Sequence, residues 1–199
     1  MYKNILLLAA VIVLSSCASN QKELKSSHNS GNINMNLSSD SNIILSYINQ
    51  ARAKGAKCAP PAPPVKWNSN LESAASSHTK DMAINNFLQH NGSGSEIDVA
   101  KKAPNLGSTY MERIQYFGYS VKPGLLVGED IARTSNKLAK SNKLVPNLKR
   151  AINNWINEPV HCKILMNPRF SYVGADAEQK DGNTYFTVDF AEENRASSN

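Results

Sequence analysis

The sequence lacks the features that mark membrane-spanning and nucleic-acid-binding proteins. A membrane-spanning helix needs ~20 consecutive apolar residues, and the apolar run at residues 5–14 is too short for that. No aromatic side chain is interleaved with the basic residues of 133–150, whereas a nucleic-acid surface ordinarily combines basic and aromatic groups. These absences exclude a membrane-spanning helix and argue against a nucleic-acid partner.

Positive charge is what the sequence has in excess, with a formal net charge of +6 and a pI of about 9.2. The excess gathers in residues 133–150, which contain no acid. Two interpretations stay open for this stretch: a solvated loop, or a surface attracted to anionic lipid or glycan. The basic residues are Arg133, Lys137, Lys140, Lys143, Lys149 and Arg150.

The N-terminus has the form of an export signal. Residues 1–16 place Lys3 before the apolar run and small residues after it, as a secretory signal does. The run ends before Cys17 in a segment that is similar to a bacterial lipobox, whose cysteine is diacylated and becomes the mature N-terminus. Plain secretion with cleavage nearby is the alternative. Ala18 stands where Asp would be the usual inner-membrane retention signal in Gram-negative cells, which favours the outer membrane or the cell surface.

A tether, one globular domain and a short tail are predicted to follow the signal. Residues 17–39 comprise the lipidated N-terminus and a Ser- and Asn-rich tether that is too polar to fold. His28 lies within the tether and is interpreted as an incidental residue rather than as a ligand. Residues 40–194 are the right size for one domain, and residues 195–199 are expected to be disordered.

Capping and turn signals predict three helices in the domain and a hairpin at its end. The helices are expected from a cap at Asp40 or Ser41 to Gly55, from a capping box at 69–72 to about Asn86, and over roughly 108–117. The hairpin strands are expected at 172–178 and 184–191, with a turn that contains Asp181 and Gly182.

The segment 155–168 gathers a tryptophan, a carboxylate, an imidazole and a thiol. The amphipathic helix that leads into it should end near Asn157, because a residue before proline avoids the α region. Pro159 suits the first position of a second short helix. Glu158 and His161 then flank a helix start and can converge on one site. The alternative is a solvated acid beside a helix-terminal histidine.

Three further residues are candidates for chemistry. His78 lies on the apolar stripe of its helix, which indicates a core histidine bonded to backbone and only secondarily a ligand. His90 lies where a helix passes into a loop, a position that often carries function. Glu129 follows an apolar run that looks buried, so it needs a partner to stay charged.

From about Ile43 to Phe190 the chain resembles the CAP superfamily, which includes cysteine-rich secretory proteins, venom allergens and plant pathogenesis-related proteins. It is most similar to the bacterial branch of exported single-domain members. Each matching piece is weak alone, but six in the family's order are specific. The pieces are Trp67-Asn68 with Leu71, Asp81-Met82-Ala83, Phe87 with His90, Gly128-Glu129-Asp130-Ile131-Ala132, Trp155 with Glu158, and His161 with Asn167-Pro168 and Gly174.

This resemblance implies an α+β fold, a three-layer α/β/α sandwich with a small antiparallel sheet between helical layers. It also implies a central cleft with two histidines and two acids, here His90, Glu129, Glu158 and His161. The family usually has Asn where Asp130 stands. An extra carboxylate there would favour cation binding or merely replace a hydrogen bond.

A disulfide is expected between Cys58 and Cys162, because with Cys17 lipidated they are the only other thiols in an oxidising compartment. Some bacterial relatives also have Cys directly after this histidine. A metal site that uses Cys162 with His161 is the alternative.

For function, the resemblance favours an envelope-anchored binding module whose four cleft residues hold Zn²⁺ or another divalent cation. Its grooves would take a lipid, a sterol or a protein partner. A competing hypothesis is a peptidase or cell-wall hydrolase in which the cleft activates water. No Ser or Cys is placed by motif as a nucleophile, and Ser93 and Ser95 are candidates by proximity to His90 alone. A third hypothesis is a purely structural role for the four residues.

Overall fold

The computed structural model describes residues 37–136 and 144–194, and the predicted signal, Cys17, His28 and the tail after 194 lie outside them. Within these ranges, five helices and four strands follow each other along the chain. They are α1 Ser39–Lys54, β1 Lys66–Trp67, α2 Ser69–Asn85, α3 Tyr110–Tyr116, β2 Val127–Ser135, α4 Leu144–Asn157, α5 Pro159–Leu165, β3 Tyr172–Lys180 and β4 Asn183–Ala191.

The four strands form one sheet in the order β1-β3-β4-β2. The predicted hairpin is confirmed as β3 and β4, and Asp181 and Gly182 turn the chain with φ of 48° and 75°. β2 pairs antiparallel with β4 along its whole length, from Val127 opposite Ala191 to Ser135 opposite Asn183. The two-residue β1 pairs with β3 in parallel, so the sheet is mixed rather than wholly antiparallel.

Helices cover both faces of the sheet, which confirms the predicted three-layer sandwich. On one face α1, α4 and α5 pack on β4 in a cluster that includes Leu148, Trp155 and Phe186. On the other face α2 packs so closely on β3 that a Cβ at Gly174 would lie 2.0 Å from the backbone nitrogen of Glu72. Only glycine permits this approach of helix and strand, because no side chain can occupy that space.

The predicted starts of the first two helices are wrong by a few residues. Ser38, rather than Asp40 or Ser41, caps α1, because its hydroxyl accepts from the Ser41 N–H at 3.0 Å. Asn68 caps α2, and the predicted capping box at 69–72 does not form. Its Glu72 carboxylate instead accepts hydrogen bonds from the Ser41 hydroxyl and the Trp67 indole.

The predicted disulfide is confirmed between Cys58 and Cys162, with 6.2 Å between their Cα atoms. It joins the proline-rich connector after α1 to α5, the helix that carries His161. The bond closes a loop of 104 residues, which stabilises the fold by about 4–5 kcal/mol in the chain-entropy model. The alternative metal site with Cys162 is therefore wrong, because its sulfur is already bonded.

Candidate functional site

Glu129 is held by two basic side chains. Its carboxylate, on β2, is buried; one oxygen lies 2.8 Å from Nδ1 of His90 and the other accepts from Nη2 of Arg113 at 2.6 Å. Burial by itself would raise the pKa of Glu129, but the Arg113 charge and the His90 hydrogen bond outweigh it, and the pKa lies below its usual value. An ionised Glu129 can only accept, so His90 carries its proton on Nδ1.

Arg113, which sequence reasoning missed, reaches the site from α3. Its guanidinium also donates to the backbone carbonyls of His90 and Ser108 at 2.8 Å. It therefore fixes the backbone of His90 as well as the carboxylate that orients the imidazole. Arginine has the planar array of donors that such a junction requires. No motif pointed to Arg113; the need of a buried Glu129 for a cationic partner was the one available signal.

The second histidine–carboxylate pair lies at the start of α5. Glu158 is the N-cap of α5 and Pro159 occupies its first turn, which confirms the predicted helix start. The Glu158 side chain makes no capping hydrogen bond, and one of its oxygens lies 2.8 Å from Nδ1 of His161. Here the carboxylate is 61% exposed and the imidazole 18%. This pair therefore lies at the mouth of the cleft, whereas the Glu129 carboxylate lies at its floor.

The fold brings His90 and His161, the His pair, next to each other, with ring centroids 6.0 Å apart and ring planes tilted by 37°. A carboxylate occupies Nδ1 of each ring, so Nε2 is the nitrogen left for a ligand. The carboxylates themselves are less available: both Glu129 oxygens are already used. Accordingly, no group of three His, Cys, Asp or Glu side chains within residues 37–136 and 144–194 has the geometry to hold a metal ion.

Two cavities flank the His pair. The first, of about 260 Å³, extends from His90 to apolar side chains that include Leu126, Ile164 and Phe170. Gly128 keeps it open, since a Cβ there would lie 3.1 Å from Phe170. The second, of about 330 Å³, touches both histidines and extends past Trp155 to Arg133. The cleft thus has an apolar side and a side that ends in a cation.

Asp130, the neighbour of Glu129 on β2, lies where its charged form is disfavoured. It is wholly buried, and its two oxygens have no hydrogen-bond partner among the described residues. Burial raises its pKa well above the usual value, and the charges of Glu129 and Glu158 raise it further. A neutral carboxyl replaces the family's neutral Asn more closely than a carboxylate would. The expectation that an extra charge here favours cation binding is therefore not supported.

A second buried acid, Asp189, was missed from the sequence. It lies on β4 directly opposite Glu129, and burial together with the Glu129 charge raises its pKa well above the usual value, against the opposing effect of Arg113. The alternation of apolar residues in β4 predicted only its apolar face, and nothing in the sequence indicated that an acid on the other face is buried.

Comparison with known families identifies the fold. The model of the cysteine-rich secretory protein family, CAP, matches residues 45–190. The chain belongs to the CAP family. A comparison with curated protein sequences gives no match, so the assignment rests on the family match.

Solved structures with the CAP fold agree with the family match. An outer surface protein from Borrelia burgdorferi is 22% identical, with a TM-score of 0.57 over 77% of this chain and 92% of that one. An extracellular protein with an SCP domain from Bacillus anthracis is 23% identical, with a TM-score of 0.55 over 77% of this chain. The match covers 40% of the Bacillus protein, so this chain spans less than half of it. A structure of NaASP2 with Zn²⁺ matches at 13% identity and a TM-score of 0.49 over 80% of this chain and 83% of that one.

The remaining candidates in this CAP domain have structural roles. His78 is buried, and its Nε2 lies 2.8 Å from the carbonyl oxygen of Gln89, the residue before His90. Burial lowers the pKa of His78, so the expected core histidine bonded to backbone is confirmed. The Ser93 hydroxyl donates to Asp81 at 2.6 Å and lies 2.8 Å from the Ser95 hydroxyl. Neither serine has a histidine partner among the described residues. No helix in that part of the chain is long and apolar enough to cross a membrane.

Proposed function

We propose that this CAP protein is an envelope-anchored binding module whose His pair holds a divalent cation such as Zn²⁺, and whose adjoining cavities receive a lipid or protein partner. The observation that carries the proposal is the orientation of the two imidazoles. Each has its Nδ1 on a carboxylate at 2.8 Å. This is how metal-binding histidines are ordinarily oriented and made more basic.

Two imidazole nitrogens are fewer than the three or four protein ligands of common zinc sites. The cation would therefore keep coordination positions for water or for an oxygen of a bound partner. When bound, it would supply a fixed positive charge between the apolar and the cationic side of the cleft. His90 and His161 would hold it, while Glu129 and Glu158 set the tautomer and direction of the rings.

Binding is better supported than hydrolysis. A general base needs a free lone pair and a pKa near the working pH. Glu129 has both oxygens engaged and a lowered pKa. Ser93, the nearer candidate nucleophile, is bonded to Asp81 rather than to an imidazole. The apolar cavity beside Leu126 and Phe170 supports a role in holding an acyl, sterol or apolar peptide group.

The proposed location depends on the N-terminal signal and Cys17, which precede the described residues. A diacylated Cys17 would fix the chain to an envelope membrane, with residues 18–36 between the anchor and the CAP domain. The cleft would then meet ligands near a membrane surface, on the outer membrane or the cell surface.

Native mass spectrometry of the full-length protein, purified from its host in detergent, tests the proposal. We expect one divalent cation per chain and an N-terminal mass that includes acyl groups. The variants His90→Ala and His161→Ala should each lose the cation while keeping the lipid mass. If the folded wild-type protein contains no metal and takes up none from added Zn²⁺, the result contradicts the metal proposal and favours a purely structural role for the four residues.

A further inference from the structure

A third cavity, of about 560 Å³, adjoins the cleft, and its lining includes three cations and no acid. We call it the basic basin. It lies where the end of β2 meets the middle of α4, so part of the basic stretch noted in the sequence forms its wall. The residues that line it are Arg133, Thr134, Ser135, Lys149, Arg150, Asn153 and Asn154.

The three cations of the basic basin are positioned by neutral groups. The Arg133 guanidinium lies 5.9 Å from the centre of the Tyr185 ring, and Lys149 Nζ lies 5.5 Å from that of Tyr47. Arg150 donates to the carbonyl oxygen of Ser135 and to the side chain of Asn147. Among the described residues, no ion pair involves any of the three. Their charges are therefore oriented but not neutralised, which is how a site for an anion differs from a salt-bridged surface.

The basin and the His pair lie along the same two elements. The Trp155 indole donates to the Ile131 carbonyl at 2.8 Å, and Arg150 reaches Ser135; therefore α4 runs antiparallel to β2. Along β2, Arg133 and Glu129 are four residues apart on one face, about 13 Å. Along α4, Arg150 precedes the last residue, Asn157, by seven residues, about 10 Å, and Glu158 follows directly.

Both spacings put the backbone that carries the two arginines about 10–13 Å from the backbone that carries the two carboxylates. Arg133 and Asn154 line both the basin and the cavity that touches the two histidines. The cleft and the basin are therefore neighbours, and we call them together the groove.

We propose that the basic basin binds a phosphate group of a ligand that extends along this groove to the His pair. Two guanidinium groups offer paired donors that match phosphate oxygens, and Lys149 adds a third charge. The side-chain amides of Asn153 and Asn154 are neutral donors suited to the remaining oxygens. The reach to a metal ion rests on the proposed function, whereas phosphate binding in the basin does not.

Calorimetry with the full-length protein in neutral detergent tests the phosphate site, with inorganic phosphate as the first probe. Arg133→Gln and Arg150→Gln should each weaken phosphate binding about tenfold, the loss expected for a charge-assisted hydrogen bond. Lys66→Gln makes the same charge change at an exposed residue of β1, at the opposite edge of the sheet, and should leave the affinity unchanged. His90→Ala should also leave it unchanged, which separates this site from the metal.

Two further probes identify the source of the phosphate: micelles that contain a short-chain phosphatidic acid, and a soluble phosphorylated disaccharide. The probe that binds more tightly identifies the source of the phosphate as a lipid headgroup or as a glycan. If the ligand reaches the His pair, added Zn²⁺ should increase the affinity of the wild type for that probe but not the affinity of His161→Ala. The proposal is overturned if inorganic phosphate does not bind, or if Lys66→Gln weakens it as much as Arg133→Gln does.

Discussion

The buried pair of Arg113 and Glu129 allows a prediction whose size depends on pH. Their side chains are 1% and 0% exposed and are joined at 2.6 Å. Removing one partner of such a pair leaves an uncompensated buried charge and costs about 3–5 kcal/mol. For a domain of this size, each kcal/mol lowers the melting temperature by about 2–4 °C. Arg113→Met should therefore lower it by roughly 10 °C at pH 7.

The pH dependence follows from the pKa of Glu129. In the wild type this pKa is lowered from 4.5, so the pair stabilises the fold above that pH and the contribution is lost as the pH falls through the folded value. Without Arg113, burial dominates and raises the pKa of Glu129. The pH dependence of stability then reverses, so the variant loses stability as the pH rises above about 4.5. The difference in melting temperature between wild type and Arg113→Met should thus shrink between pH 7 and pH 4.5.

Arg52 provides the matched control. It is also wholly buried, but its guanidinium donates to the backbone carbonyls of Pro63, Leu165 and Asn167 rather than to a carboxylate. Arg52→Met should destabilise the fold by an amount that does not change over this pH range. The double variant Arg113→Met with Glu129→Gln should recover part of the loss. A loss for Arg113→Met that is equal at pH 7 and pH 4.5 would refute the reasoning.

The other predictions concern the metal, the disulfide and the anchor. Calorimetry with Zn²⁺ should show one site per chain near neutral pH, weakened at least tenfold (~1.4 kcal/mol) by His90→Ala or His161→Ala; affinity should fall on acidification, because protonated imidazoles do not bind metal. His78→Ala should instead lower the melting temperature and leave the zinc affinity of the folded fraction unchanged; a matching loss of affinity would contradict its core role. Cys58→Ala should reduce the free energy of unfolding by about 4–5 kcal/mol in a denaturant titration, and an unchanged midpoint would argue against the bond as a stabiliser. Cys17→Ser should abolish acylation, so an unchanged mature mass and detergent partitioning would rule out the lipid anchor.

Elements bounded by strong local signals could be predicted from the sequence. Proline at position 159 fixed both the end of α4 and the start of α5, because its ring restricts itself and the preceding residue. The hairpin of β3 and β4 was predicted from the alternation of apolar and polar residues and from its Asp-Gly turn. The helix caps were shifted by one to three residues, because several neighbouring polar residues can serve as caps and tertiary contacts decide among them.

The features that were missed depend on contacts between distant segments. β2 was visible only as an apolar run before Glu129, since burial on both faces removes the alternation by which a strand is recognised. Arg113 lies 16 residues before Glu129 and outside every motif of the family, so nothing local indicates their contact. Local signals indicated the four cleft residues singly, but only the resemblance placed them around one cleft, and the sequence could not tell which carboxylate oxygens were already engaged.

The way α4 lies against β2 has a consequence for how this protein meets other chains. β2 is an edge strand, and an open edge invites a strand from another molecule, by partner recognition or by aggregation. Trp155 and Arg150 of α4 donate hydrogen bonds to the carbonyl oxygens of Ile131 and Ser135 on that strand. At the opposite edge the two-residue β1 covers only Tyr172 and Val173 of β3, so the two edges of the sheet differ in how they are protected. Because α4 obstructs extension of the sheet beside the cleft, a polypeptide that enters the groove would be recognised there by its side chains.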